Sequence, residues 1–215
     1  MSALAARLRT QTWPAHRQVE ATPFVRAMLR GGLSLPAYCL LLASLHPIYA
    51  ALESGLQRHA GRPEVAAIYA EPLLREAALA ADLAHLQGAD WRGTLKAQPQ
   101  ALAYAEHLAA LADAAPALLV AHAYVRYLGD LSGGQTLRRI VAGSLGLQGD
   151  HGTRFYDFGP PAQVSALAGS LRAGLDRIDA DEATRAAIVT EAEQAFARHE
   201  RLFGELETAR AALSP

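Results

Sequence analysis

Apolar positions along the chain recur at helical spacing and almost never alternate. The clearest stripe lies near the C-terminus. There Ile188, Ala192, Ala195, Phe196, Leu202, Phe203 and Leu206 follow the i, i+3, i+4, i+7 rhythm of one buried helix face. Ala and Leu dominate elsewhere, and β-branched or aromatic runs are scarce, so intrinsic propensity favours helix nearly throughout. Start signals punctuate this background. Thr12 stands two residues before Pro14, Thr22 directly before Pro23, and Ser34 two before Pro36, each pairing a capping oxygen with a first-turn proline. Gly31-Gly32 and Gly61-Arg62-Pro63 close segments, while Glu71-Pro72, Gln98-Pro99 and Pro160-Pro161 mark further breaks. The pattern predicts helices at 3–11, 14–21, 23–30, 35–59, 72–86, 99–112, 116–145, 161–177 and 181–209, with 147–160 as an aromatic, irregular connector. No repeat or linker divides the chain, which reads as one all-α domain over residues 1–215.

Composition narrows the class. Hydrophobic residues make up 51% and charged residues 19%, enough for a packed core and too apolar for a disordered chain. Twenty Lys+Arg against 21 Asp+Glu exclude a broadly basic nucleic-acid binder. Cys39 is the one cysteine, so neither an internal disulfide nor a cysteine zinc cluster can form. Apolar stretches such as Ala37 to Leu45 fall short of the ~20 residues of a membrane span, and the N-terminus lacks a signal-peptide shape. These features lead us to expect a soluble, cytoplasmic protein without a membrane or nucleic-acid partner.

One segment breaks the helical logic. In HAYVRYLGDLSGGQTLRRI (122–140), Gly129, Gly133 and Gly134 sit between two strongly helical flanks. Each glycine costs about 0.5–1 kcal/mol relative to Ala inside a helix, so three in six residues predict a bent or partly broken helix. A loop between two helices is one reading. The other follows from Gly129 and Gly133 being i, i+4: on a helix they share a face without side chains, against which something flat can lie. Asp130 and Ser132 beside them can order water. Phosphate-loop spacings are absent.

Eight histidines are available. His16 has Glu20 at i+4, an acceptor suited to orienting an imidazole ligand, although such pairs are usually solvated contacts. His46 reads as packing and His122 as a hydrogen-bonded core residue. His59, His85, His107, His151 and His199 read as surface or connector residues. The absence of any E-x-x-H argues against a di-iron carboxylate bundle.

YLGDLSGGQ (127–135), preceded by AHAYVR (121–126), resembles the distal-helix signature of the haem oxygenase family. TWPAHRQVEATPFVRAML (12–29) resembles that family's proximal helix. LLASLHPIYAALE (41–53) and EAEQAFARHERLFGEL (191–206) resemble two further helices, so the likeness covers nearly the whole chain. It implies a helical bundle holding haem between a proximal helix and a kinked, glycine-rich distal helix. His16 falls at the axial iron ligand, Glu20 at its acidic partner, and Gly129, Gly133 and Gly134 on the glycines facing the porphyrin. Asp130 falls on the distal acid that organises water, with Tyr49 and Arg126 in the network behind it. Arg9, Tyr124 and Arg172 fall on positions that contact the propionates. Arg9 replaces a lysine of the animal enzymes, Ala168 stands where they have a second lysine, and His199 where an Asn often joins the distal network.

What the resemblance implies about activity is oxidative cleavage of haem b, both substrate and cofactor, by O2 to biliverdin IXα, carbon monoxide and ferrous iron. No flavin, nicotinamide or iron–sulfur motif is visible, so electrons must come from a ferredoxin, flavodoxin or flavin reductase. Arg138 and Arg139 offer that donor a basic docking patch or form a solvated helix face. A photoreceptor is one acceptor for the biliverdin. Two other readings remain at this level. One is a haem carrier or sensor that does not turn over. The other is a thiamine-degrading enzyme using Cys39, whose apolar surroundings instead suggest a buried thiol.

Overall fold

A computed structural model of the chain describes residues 3–213 and, over these, contains helices and turns but no strand. The α-helices are α1 (Leu4–Glu20), α2 (Pro23–Leu29), α3 (Leu35–Arg58), α4 (Pro63–Ala66), α5 (Glu76–Gln87), α6 (Trp91–Thr94), α7 (Pro99–Ala114), α8 (Leu119–Leu145), α9 (Pro161–Arg177) and α10 (Glu182–Ala212). Short 3₁₀ turns at Glu71–Leu73, Pro116–Leu118 and Arg154–Tyr156 join them.

Helix α3 forms the spine of the core. Leu42, Ile48, Tyr49 and Leu52 are fully buried along it, with α5 and α7 packed on its flanks. The long α10 lies against α1, α2 and α8. By length and composition α3 could cross a membrane, contrary to the sequence expectation that no segment is long enough. Most of it is buried within the bundle. Its polar groups are also bonded there: Ser44 Oγ accepts from Gln98 N at 3.1 Å, and Glu53 accepts from Arg75 N and Glu76 N at 2.5 and 3.1 Å.

That Glu53 carboxylate explains one boundary. It satisfies the first N–H groups of α5, so the helix expected at 72–86 divides into a 3₁₀ turn and a helix that begins at Glu76. Ser34 caps α3 through Ala37 N as expected (3.4 Å). Thr12 caps nothing. The breaks expected at 12–13 are absent, and α1 runs through Pro14. Thr12 is buried inside it, donating from Oγ1 to the Leu8 carbonyl at 2.8 Å. Packing against α10 outweighs the donor lost at Pro14.

Of the two readings of the glycine segment, the structure takes the helical one, within the helix expected at 116–145. Helix α8 continues unbroken through Gly129, Gly133 and Gly134. Buried neighbours on both sides, among them Val125, Tyr127, Leu131 and Val141, anchor it into the bundle and offset the propensity cost. The connector 147–160 is irregular as expected, but pinned. Asp82 of α5 accepts from Arg154 N (2.9 Å) and Phe155 N (2.8 Å), and Tyr38 donates to the Gly152 carbonyl at 2.8 Å.

Candidate functional site

A cavity of about 870 Å³ opens between α1 and α8, with α9 and α10 closing its sides. Its size falls within the ~300–1,000 Å³ of small-molecule sites. One helix face supplies each long wall. On α8 the wall is Val125, Leu128, Gly129, Ser132 and Gly133, with Tyr124 at its edge; on α1 it includes Ala5, Arg9, Thr12, Trp13, His16 and Glu20. Arg172 and Asp176 come from α9 and Phe196 from α10. The walls touch where Thr12 Oγ1 and Tyr124 OH lie 3.3 Å apart.

Two aromatic rings hold His16. Trp13 stacks on its ring, nearly parallel at 5.6 Å, and Phe196 meets it edge-on at 5.8 Å. Its Nδ1 is buried without a hydrogen-bond partner, the Glu20 carboxylate being 3.7 Å away. Nε2 is therefore the nitrogen left for a metal. Opposite, a Cβ built on Gly129 or Gly133 would meet nothing within 4 Å, so both glycines leave open space where a side chain would stand. Gly134 differs: a Cβ there would lie 3.6 Å from the Tyr156 carbonyl, which places it against the connector and outside the cavity lining.

Behind the glycine face lies a buried polar cluster. Tyr49 donates to Asp130 Oδ2, and Arg126 donates to Asp130 Oδ1 at 2.9 Å and to Tyr49 OH at 2.9 Å. Arg126 also donates to His199 Nε2 (3.1 Å), while His199 Nδ1 donates to the Ala195 carbonyl (2.8 Å). Burial raises the Asp130 pKa, against the pull of Arg126. Burial opposes the charge on Arg126, but Asp130 and Tyr49 more than restore it. Burial and then Arg126 push His199 well below the imidazole range.

Arg9, Tyr124, Arg172, His16, Glu20, Gly129 and Gly133 thus converge on one cavity, while Asp130, Tyr49 and Arg126 form the network behind it. Arg138 is not free, since it pairs with Asp157 at 3.0 Å. Trp13, Phe196 and Asp176 were not read as site residues. The false break at 12–13 hid that Arg9, Trp13, His16 and Glu20 share a face at i, i+4, i+7, i+11. His199, read from the residues alone as surface, is 2% exposed and continues the stripe through Ala195 and Leu202. His122 is a hydrogen-bonded core residue as expected, with Tyr104 OH on Nδ1 (2.7 Å) and Glu191 on Nε2 (3.0 Å). Cys39 is buried, in keeping with a packing role.

The residues present fit a haem: a ring-stacked imidazole with a free nitrogen, an open glycine face opposite, apolar walls, and two arginines at the rim for carboxylates. The chain matches the family model described as Heme oxygenase over residues 2–205. It is 37% identical to Heme oxygenase 1 of Nostoc sp., over 96% of this chain and 87% of that one. The crystal structure of heme oxygenase-1 from the cyanobacterium Synechocystis sp. in complex with heme superposes with a TM-score of 0.91 at 35% identity, covering 98% of this chain and 95% of that chain. Heme oxygenase-2 from the same genus, in complex with heme and NO, gives 0.94 at 35% identity, covering 99% and 89%. With the His16 imidazole, the glycine face and these likenesses together, the chain belongs to the haem oxygenase family.

Proposed function

We propose that this chain, acting as one cytoplasmic domain, cleaves haem with O2 and externally supplied electrons, giving biliverdin, carbon monoxide and ferrous iron. The observation that carries the proposal is the pairing of the His16 imidazole with the open Gly129/Gly133 face across one cavity. When bound, haem supplies the iron centre at which O2 is activated. The chain's own residues bind, orient and deliver protons. His16 Nε2 would hold the haem iron, with Glu20 facing Nδ1. The glycine face would set no imidazole or guanidinium against the haem on that side. Asp130, one residue from Gly129 and clamped by Tyr49 and Arg126, is placed to hold water at that face and pass it a proton. Binding alone has no need of such a cluster, which favours turnover over a passive haem carrier. A ferredoxin, flavodoxin or flavin reductase is the donor in this reading, with exposed Arg139 a contact, and a photoreceptor a recipient of the biliverdin.

Arg9, Tyr124 and Arg172 line the same cavity and would hold the propionates, so that the haem would be seated in one orientation, the one that favours α cleavage. The planar Arg172 guanidinium can grip a carboxylate with two parallel bonds. Haemin, reductant and oxygen added to the protein, followed by chromatography of the pigment, test the activity and the seating together. Wild type should yield biliverdin IXα, and Arg172→Ala a mixture of isomers. Absence of biliverdin refutes the activity, and a pure α product from Arg172→Ala removes that residue from the seating role.

A further inference from the structure

A second cluster of ligating side chains lies away from the cavity, between α7, α8 and α10. His107 of α7, His122 of α8 and Glu191 of α10 bring one donor atom each to within 4.8 Å of one another. Glu191 Oε1 accepts from both rings, from His107 Nε2 at 2.7 Å and from His122 Nε2 at 3.0 Å. Two imidazole hydrogens thus converge on one carboxylate oxygen. Burial raises the Glu191 pKa, yet its bonds to His122 and then His107 win and hold it at about 2, so the carboxylate is ionised. His122 is fully buried and burial depresses its pKa, which leaves it a neutral ring. Two imidazoles and a carboxylate converging on one point form the donor set of His₂Glu zinc sites.

We propose that His107, His122 and Glu191 form a binding site for a borderline divalent cation of the Zn²⁺ type, distinct from the haem cavity. The cation takes the place of the two ring hydrogens. Each histidine moves its proton from Nε2 to Nδ1 and ligates through Nε2, with Glu191 Oε1 as the third ligand and water as the fourth. No proton need leave either ring. On His122 the new Nδ1–H points at Tyr104 OH, 2.7 Å away, which changes from donor to acceptor and becomes the outer partner that orients a ligating histidine. His107 is partly exposed and gives the ion its entry. The Arg198 guanidinium, 5.8 Å from the Tyr104 ring centroid, adds positive charge nearby, so Glu191 must carry the attraction. Hard ions such as Mg²⁺ and Ca²⁺ are excluded by the two nitrogen donors.

The test uses the haem-free protein. Titration with Co²⁺ should give a saturable visible spectrum of low-coordinate Co²⁺ that Zn²⁺ displaces. His107→Ala should weaken Co²⁺ at least about tenfold, the lower end for loss of even an outer partner. His16→Ala should leave it unchanged. A second measurement needs no variant: in protein with ¹⁵N-labelled histidine, saturating Zn²⁺ should switch the His107 and His122 rings from Nε2–H to Nδ1–H. Absence of a saturable spectrum, unaltered affinity in His107→Ala, loss of binding in His16→Ala, or rings that keep Nε2–H under Zn²⁺ would each overturn the site.

Discussion

At the scale of single residues, His199 carries its proton on Nδ1, because the Ala195 carbonyl can only accept and the Arg126 guanidinium can only donate. A second proton on Nε2 would set two donors against each other. Burial depresses His122 in the same direction. A histidine whose folded pKa is depressed binds fewer protons than it does in the unfolded chain. Its contribution to stability is complete above the unfolded value of about 6.5 and is lost as pH falls below it, by up to about 1.4 kcal/mol per pH unit for each such ring. Urea melts should therefore shift to lower midpoints from about pH 7.5 to about pH 5.5. His199→Asn, which keeps an acceptor for Arg126, should flatten that slope; equal slopes would remove His199 from the account. Asp130 poses a different problem. Deleting its carboxylate leaves Arg126 charged and unpaired, and breaking a buried pair costs about 3–5 kcal/mol. Asp130→Asn is the cleaner probe. Because Asp130 does not line the cavity, haem affinity should stay within a few-fold while biliverdin yield collapses. A haem titration and pigment assay decide this, and full biliverdin yield would exclude the proton role.

At the scale of elements, most helices were legible because their caps and periodicity agreed. Ser34 and Pro36 open α3, and Gly31 closes the preceding turn with a positive φ of 69°. The misreading at 12–13 has a physical cause, since propensity lost to tertiary packing at Pro14, as it did at the three glycines, where the loop alternative gave way to helix. The same error hid part of the site. Two short helices cannot show that Arg9, Trp13 and His16 share a face, whereas one continuous α1 can. The buried polar cluster was reachable mainly through the YLGDLSGGQ resemblance, because Tyr49, Arg126 and His199 meet across three helices that spacing alone does not connect. Continuity of α8 yields a prediction with two opposed signs. Nothing lies within 4 Å of a Cβ at Gly129, so Gly129→Ala should raise the stability of the haem-free protein by about 0.8–1.0 kcal/mol through helix propensity alone. The same methyl projects into open space beside the cavity and should weaken haem binding. Thermal melts and haem titration check both signs, and a variant that gains stability without losing affinity would show that haem does not lie against this face.

At the scale of the molecule, the two long walls of the cavity touch at Thr12 and Tyr124 and are otherwise carried on α9 and α10. A ligand held by His16 on one side and lying on the glycines on the other joins them. Haemin at about 100 times its Kd should add about 2.7 kcal/mol to the unfolding free energy, with amide exchange in α1 slowing more than in α7. His16→Ala should lose much of that shift while retaining burial of the ring, and a full shift in that variant would move the ligand assignment elsewhere. The central claim is that this cavity cleaves haem and does not merely hold it. The most direct measurement is carbon monoxide released per haem consumed when reductant and oxygen are supplied. The account predicts equimolar carbon monoxide as the Soret band disappears. Bleaching of haem without carbon monoxide, or a Soret band that persists under turnover conditions, would contradict it.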